Sequence, residues 1–143
     1  MKLVIQRVKS ARARVDSRIV GRIERGLVVL VGVGREDDSS QVKVLAKKVC
    51  ELRIFEDDDG KMNLSLKDIG GGILSVPQFT LYADTRKGNR PGFSDAAKPD
   101  KAKADWLQFN ESALSCGIKV EKGLFAAHME VELINDGPVT IIM

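Results

Sequence analysis

The sequence is poor in the residues on which most enzymes build their chemistry: 143 residues hold one histidine and two cysteines. A structural zinc site takes about four clustered Cys or His ligands. Cys50 and Cys116 have neither CxxC spacing nor a neighbouring histidine, so no metal site is expected, and no other cofactor. Both thiols fall in predicted helices and read as reduced and partly buried. The one histidine, His128, lies in a predicted strand. Its set Ala126, His128, Glu130 and Glu132 faces solvent, opposite Ala127, Met129, Val131 and Leu133. A Ser-His-Asp or Cys-His device would have to rest on that single surface imidazole, and both are set aside. GxSxG, P-loop and HExxH patterns are absent as well.

Long apolar runs are also missing. The longest, residues 27–33, is broken by Gly32 and falls far short of the roughly 20 residues that span a bilayer. The chain opens on a strand pattern rather than a signal-peptide core, so the expected location is cytoplasmic, with no membrane partner. Repeats, linkers and low-complexity tracts are lacking too, which points to a single domain over residues 1–143. With 43% hydrophobic and 30% charged residues the composition is that of an ordinary globular protein. A net charge of +3 permits a polyanionic partner without demanding one.

What is present is strand-rich. Leu3, Ile5 and Arg7 alternate against Val4, Gln6 and Val8, then Ala11, Ala13 and Val15 against Arg12, Arg14 and Asp16. Asp16-Ser17-Arg18 reads as a turn, residues 19–23 as a strand, and residues 26–33 as a strand buried on both faces. Asp38 caps a helix with Gln41 at the capping-box position, and Val42, Leu45, Val49 and Leu52 line one face of it. Residues 73–81 read as an apolar strand interrupted by Pro77. A second helix opens at Pro99 or Asp100 and runs to about Cys116, with Trp106, Phe109, Ala113 and Leu114 as its apolar stripe and Gly117 as its stop. Residues 118–123, 126–134 and 139–143 read as strands. The pattern predicts an α+β fold, a largely antiparallel and barrel-like sheet with two main helices. So little helix leaves apolar sheet surface that dimerisation would cover.

Several stretches have a chemical reading. Asp57-Asp58-Asp59-Gly60 lacks the alternating ligands and closing Glu of a calcium loop and reads as a solvated turn. The loop from Arg86 to Phe93 carries Arg86, Lys87 and Arg90, two glycines and an aromatic. It suits phosphate or ribose contact, and equally a solvated loop. Two stretches break local rules, as functional sites tend to. In the first, Pro77 removes an amide from an apolar strand, so the strand ends, bulges or lies at an edge there. Gln78 and Thr80 then share one strand face. In the second, Asn135-Asp136-Gly137-Pro138, the Asp-Gly pair favours a tight hairpin while the proline removes a ladder amide. The residues leave both a plain trans turn and a special cis one open.

Gln78-Phe79-Thr80 and Asn135-Asp136-Gly137-Pro138-Val139-Thr140 resemble the Ser-Gln-Phe-Thr and Asn-x-Gly-Pro-Val-Thr motifs of D-aminoacyl-tRNA deacylases. Gln6-Arg7-Val8, Leu52-Arg53-Ile54-Phe55, Gly60-Lys61-Met62-Asn63, Lys87-Gly88-Asn89-Arg90-Pro91 and Gly123-Leu124-Phe125 agree in order and spacing, so the resemblance covers essentially the whole chain. It implies a homodimer of this family's fold that hydrolyses D-aminoacyl-tRNA, and glycyl-tRNA mischarged on tRNA-Ala, while sparing the L-ester. It implies that Gly137 and Pro138 of one subunit enter the active site of the other as a chiral filter, held by Arg7. Gln78, Phe79 and Thr80 would form the catalytic end of the pocket, and Arg86, Lys87 and Arg90 would contact the tRNA. The amides of Phe79 and Thr80 are candidate oxyanion donors, since an aminoacyl ester is already activated; a nucleophilic Thr80 is the alternative. Where the family usually has Ser before Gln78, this chain has Pro77, and no role of that serine carries over. A non-catalytic RNA-binding module and a Cys- or Thr-nucleophile hydrolase of small esters are the competing readings.

Overall fold

Asp16 and Ser17 take φ values of 47° and 63°, the paired left-handed residues of a tight hairpin turn made here without glycine. They fold β1 (Lys2–Val15) back on β2 (Arg18–Ile23), and β3 (Gly26–Gly32) continues the return. The computed structural model describes the backbone of residues 1–143 and every side chain but that of Ser39. The order continues with α1 (Ser39–Glu51), β4 (Phe55–Glu56), β5 (Met62–Leu64), β6 (Gly72–Pro77), a 3₁₀ turn (Phe79–Tyr82), α2 (Pro99–Ser115), β7 (Lys119–Lys122) and β8 (Glu130–Ile142). Among the described residues no helix is long and apolar enough to cross a membrane.

The main sheet is mixed. β1 pairs antiparallel with β2, β3 and β8, whereas β3 pairs parallel with β6, and β6 with β7. The parallel pairings arise because α1 and α2 each sit in a crossover between strands. Antiparallel pairing still predominates, as expected, and the parallel pairings are confined to β3, β6 and β7. The sheet curls until β2 meets the end of β7, where a Cβ on Gly21 would lie 2.8 Å from the carbonyl oxygen of Lys122. That approach nearly closes a barrel, and only a residue without a side chain permits it.

β1 is one strand with a change of phase, not two. Leu3 and Ile5 point into the core beneath the helices, and Val8, Ala11 and Ala13 into a second core inside the curl. The register against β8 slips between Gln6 and Ser10, and the bulge re-aims every later side chain. β3 and β6 serve both cores. Leu27, Val29, Val31 and Ile73 face the helices, while Val28, Leu74 and Val76 face the curl.

The helices follow their sequence signals with one exception. Asp38 caps α1 by accepting from the amides of Ser40 and Gln41 at 2.8 and 3.0 Å. Val42, Ala46 and Val49 are fully buried, with Leu45 and Leu52 packed beside them. Gly117, at φ +81°, ends α2. Trp106, Phe109 and Ala113 are buried as expected, but Leu114 is 49% exposed. At about 100° per residue it lies roughly a quarter-turn or more round the helix from those three.

Candidate active site

Pro77 ends β6. The amide of Gln78 still reaches the carbonyl of Val31, at 2.8 Å, but the chain then tightens into the 3₁₀ turn. The expected strand through Gln78, Phe79 and Thr80 is therefore replaced by a turn. A proline at the strand's last residue has no amide with which to extend the ladder beyond the end of β7. The turn still brings Gln78 and Thr80 together, with the side-chain Nε2 of Gln78 donating to the Thr80 hydroxyl. Phe79 is left 56% exposed and meets the Phe93 ring edge-on, with centroids 4.9 Å apart.

This turn forms the mouth of an open cleft of about 760 Å³, with Pro77, Gln78, Phe79, Phe93, Lys98, Trp106, Phe125 and His128 among its walls. Thr80 stands exposed beside the cleft rather than in its lining. Trp106 forms the inner wall. Its indole nitrogen donates to Ser75 Oγ at 2.8 Å, and its ring lies 6.0 Å from that of Phe125. Ser75 is fully buried, so this bond satisfies a hydroxyl that would otherwise be an orphan in the core. The aromatic walls suit a flat, stackable group such as a nucleobase.

His128 is not on a strand. β8 begins at Glu130, and His128 belongs to the segment after β7, where Ala126 takes φ +61°. The imidazole is exposed, as expected, but it forms part of the cleft wall. The alternation of residues 126–134 had placed it on a free surface, and a left-handed residue breaks that alternation. Leu133, expected inside, is 37% exposed.

The basic loop springs from the rim of the same cleft. Asp84 and Gly92 exchange both backbone hydrogen bonds at 2.8 and 2.9 Å, closing the loop just before Phe93. Lys87 and Arg90 stand exposed on it. Arg86 folds back onto Asp84 through two bonds of 2.9 Å, and this guanidinium holds the Asp84 carboxyl down at about 2. Part of the loop's positive charge is thus already paired.

Gly137 and Pro138 lie elsewhere, on a bulge of β8. Gln6 stands opposite Thr140, and Val8 opposite Asn135. Two steps along β1 therefore match five along β8, and residues 136–139 stand out from the ladder. The sequence suggested a hairpin turn, but β8 continues through the bulge with a cis Gly137-Pro138 bond. Both residues are exposed. Arg7 holds the bulge from the core side. It is 4% exposed and donates to the carbonyl of Asp136 at 2.9 Å and to that of Ile54 at 2.6 Å. A Cβ on Gly137, at φ +135°, would lie 3.2 Å from Arg7 Nη2 and 2.7 Å from Val139 Cγ2.

The structure thus brings Gln78, Phe79 and Thr80 together with the basic loop, and Arg7 together with Gly137 and Pro138. It does not bring the two groups together within one chain. Arg7 is level with Leu27 on β3, and Pro77 with Val31, a separation of about 13 Å along the strand at roughly 3.3 Å per residue. Sequence reasoning gave Gln6 no role, took Phe93 only as the aromatic end of the basic loop and Trp106 as core, and set His128 aside as a surface residue. The signal for Gln6 was its place in the matching Gln6-Arg7-Val8 segment; the others depend on how distant segments meet.

A curled mixed sheet, two helices on one face and an open aromatic cleft make this the D-aminoacyl-tRNA deacylase type of fold. A solved structure described as a probable eukaryotic D-amino acid tRNA deacylase superposes with a TM-score of 0.83 at 17% identity, over 99% of this chain and 97% of that one. The c-Myc DNA unwinding element binding protein superposes with a TM-score of 0.93 at 37% identity, over 100% and 97%. Residues 4–143 match the family described as D-Tyr-tRNA(Tyr) deacylase. The D-aminoacyl-tRNA deacylases of Thermotoga petrophila and Thermosipho africanus are 56% and 53% identical, each over 100% of this chain and 96% of the relative. The chain belongs to the D-Tyr-tRNA(Tyr) deacylase family of hydrolases.

Proposed function

We propose that this chain is a cytoplasmic editing hydrolase that cleaves the ester of D-aminoacyl-tRNA, releases the free D-amino acid and the tRNA, and spares the L-ester. It works as a homodimer. Each cleft takes the terminal adenosine and the ester, and the Gly137-Pro138 bulge of the partner closes it. The observation that carries this reading is the separation of the two groups: an exposed, firmly held bulge on one side of the chain and an open cleft on the other. The outer edge of β8 supports it, since β8 pairs only with β1 and leaves Ile134 58% and Ile142 78% exposed. An unpaired, apolar edge of that length invites a second chain.

In this arrangement the chemistry needs little from side chains. The first amides of a helical turn have no partner inside it, so those of Phe79 and Thr80 are available to the oxyanion. Stabilisation of that kind contributes about 3–4 kcal/mol per donor. The Thr80 hydroxyl, already engaged by Gln78, positions the substrate or water. Lys87 and Arg90, with Arg86 beside them, contact the tRNA backbone. The bulge carbonyls lie against the substrate's α-carbon and collide with an L side chain. Glycine presents no side chain, so glycyl-tRNA, including glycine mischarged on tRNA-Ala, is hydrolysed too.

Subunit mixing tests the shared site. On this reading Phe79→Pro, which takes away an oxyanion amide along with the aromatic wall, and Gly137→Ala, whose added Cβ would meet Val139 and Arg7, are each inactive as homodimers. After co-refolding, half the dimers are mixed and one of their two sites is intact, so about a quarter of the activity returns. Mixed dimers, verified by mass, that recover nothing would contradict the reading, as would a Gly137→Ala homodimer of full activity and selectivity.

A further inference from the structure

Arg7 grips the bulge from one face of β1, and the neighbouring residue grips it from the other. Successive side chains of a strand point to opposite faces, so Gln6 lies on the far side of the sheet from Arg7. Its Oε1 accepts from the Asn135 side-chain amide and from the Thr140 hydroxyl, the latter at 3.2 Å. Asn135 and Thr140 are the two feet of the bulge. Asn135 in turn accepts the amide of Val139 at 2.9 Å, inside the loop. One oxygen on β1 therefore ties both feet, and a second bond spans the loop between them. Arg7 instead holds the loop between the feet, by its bond to the Asp136 carbonyl.

We propose that Gln6 is a positioning residue for selectivity. By joining the two feet it fixes the width and pitch of the bulge, and so the place where the Gly137 and Pro138 carbonyls stand. This rests on the reading of the bulge as the chiral filter. Loss of the tie leaves the loop anchored by Arg7 but free to rock about it. A filter that rocks admits the L-ester while the ester-binding end of the cleft is untouched. The Gln6 oxygen is used only as an acceptor here, so a carboxylate at the same place keeps both bonds and an aliphatic side chain loses both.

The test compares Gln6→Leu, Gln6→Glu and the milder Thr140→Val with the native chain on matched D-Tyr-tRNA and L-Tyr-tRNA, with kcat and KM taken separately. Selectivity is the ratio of the two kcat/KM values. Gln6→Leu is expected to lower that ratio about tenfold, the loss of roughly one net hydrogen bond. The gain falls on the L-ester, and kcat on the D-ester changes by less than about twofold. Gln6→Glu is expected to restore the ratio and Thr140→Val to lower it by a smaller factor. A purely structural role would lower activity on both esters together and leave the ratio alone, and that result overturns the proposal. If Gln6→Leu does not fold, Thr140→Val decides, and an unchanged ratio there overturns it. A native chain with no preference for the D-ester would instead remove the filter reading itself.

Discussion

Arg7 is the residue whose replacement has the most direct consequence. The residue is 4% exposed, and its guanidinium holds two carbonyls at once, Asp136 at 2.9 Å and Ile54 at 2.6 Å. Glu56 stands 3.6 Å from it, but that carboxylate is half exposed and adds little. Hydrogen bonds to a buried charge contribute about 1.5–3 kcal/mol each. In Arg7→Met the charge leaves together with its desolvation cost, which offsets part of the loss, so the net destabilisation should be about 2–4 kcal/mol. Unfolding entropy of roughly 2.1 cal/mol/K per residue gives about 0.3 kcal/mol/K for a chain of this size, hence a fall in Tm of about 7–13 °C. Arg7→Lys is the sharper probe. It keeps the charge but lacks the fork and holds one carbonyl at a time. Its Tm should fall by about half as much, while D-over-L selectivity falls nearly as far as in Arg7→Met. Thermal melts followed by circular dichroism, with deacylation of both esters, check this. Arg7→Lys with native selectivity would refute the claim that the fork sets the bulge.

Three further outcomes are expected. Trp106→Phe removes the bond to Ser75 and leaves a fully buried hydroxyl unpaired, which costs about 1–2 kcal/mol; KM for aminoacyl-tRNA rises and Tm falls by about 3–7 °C. His128→Gln lowers kcat by about tenfold at most, since a general base would be worth 10²–10⁴-fold; a thousandfold loss would make the cleft imidazole the base. The carboxyls of Asp38, Asp57, Asp68, Asp84 and Glu132 all titrate below their usual range because they accept hydrogen bonds. Lowered folded values mean stability that is full above about pH 4 and is lost as pH falls through the folded values, reaching about 2 at Asp84. Melts from pH 7 to pH 2 should show that decline, flattened at its acid end in Asp84→Asn; a Tm that holds steady to pH 2 would contradict it.

The elements that follow local rules were legible in the sequence. Asp38 announced α1, Gly117 ended α2, and the apolar run of β3 marked a strand buried on both faces. Elements decided by distant partners were not. Nothing local says that β1 changes core halfway, since the slip belongs to its pairing with β8. The parallel pairings of β6 depend on where two helices send the chain. Pro77 signalled a break in the strand, but the residue types do not announce that the chain then tightens into a 3₁₀ turn. The place of His128 on the cleft wall rests on Ala126 adopting a left-handed conformation that its residue type does not announce. Of the site, the motif residues were legible and their grouping was not. The sequence joined Gln78, Phe79 and Thr80 to Gly137 and Pro138 only through the resemblance, and a single chain holds them apart.

The most direct test of the central claim is a pair of time courses, with the purified protein incubated with D-Tyr-tRNA and with L-Tyr-tRNA made from the same tRNA. A site closed by the backbone of Gly137 and Pro138 should release D-tyrosine rapidly while the L-ester is hydrolysed far more slowly. Equal rates on the two esters, or binding of both with loss of neither, would contradict it.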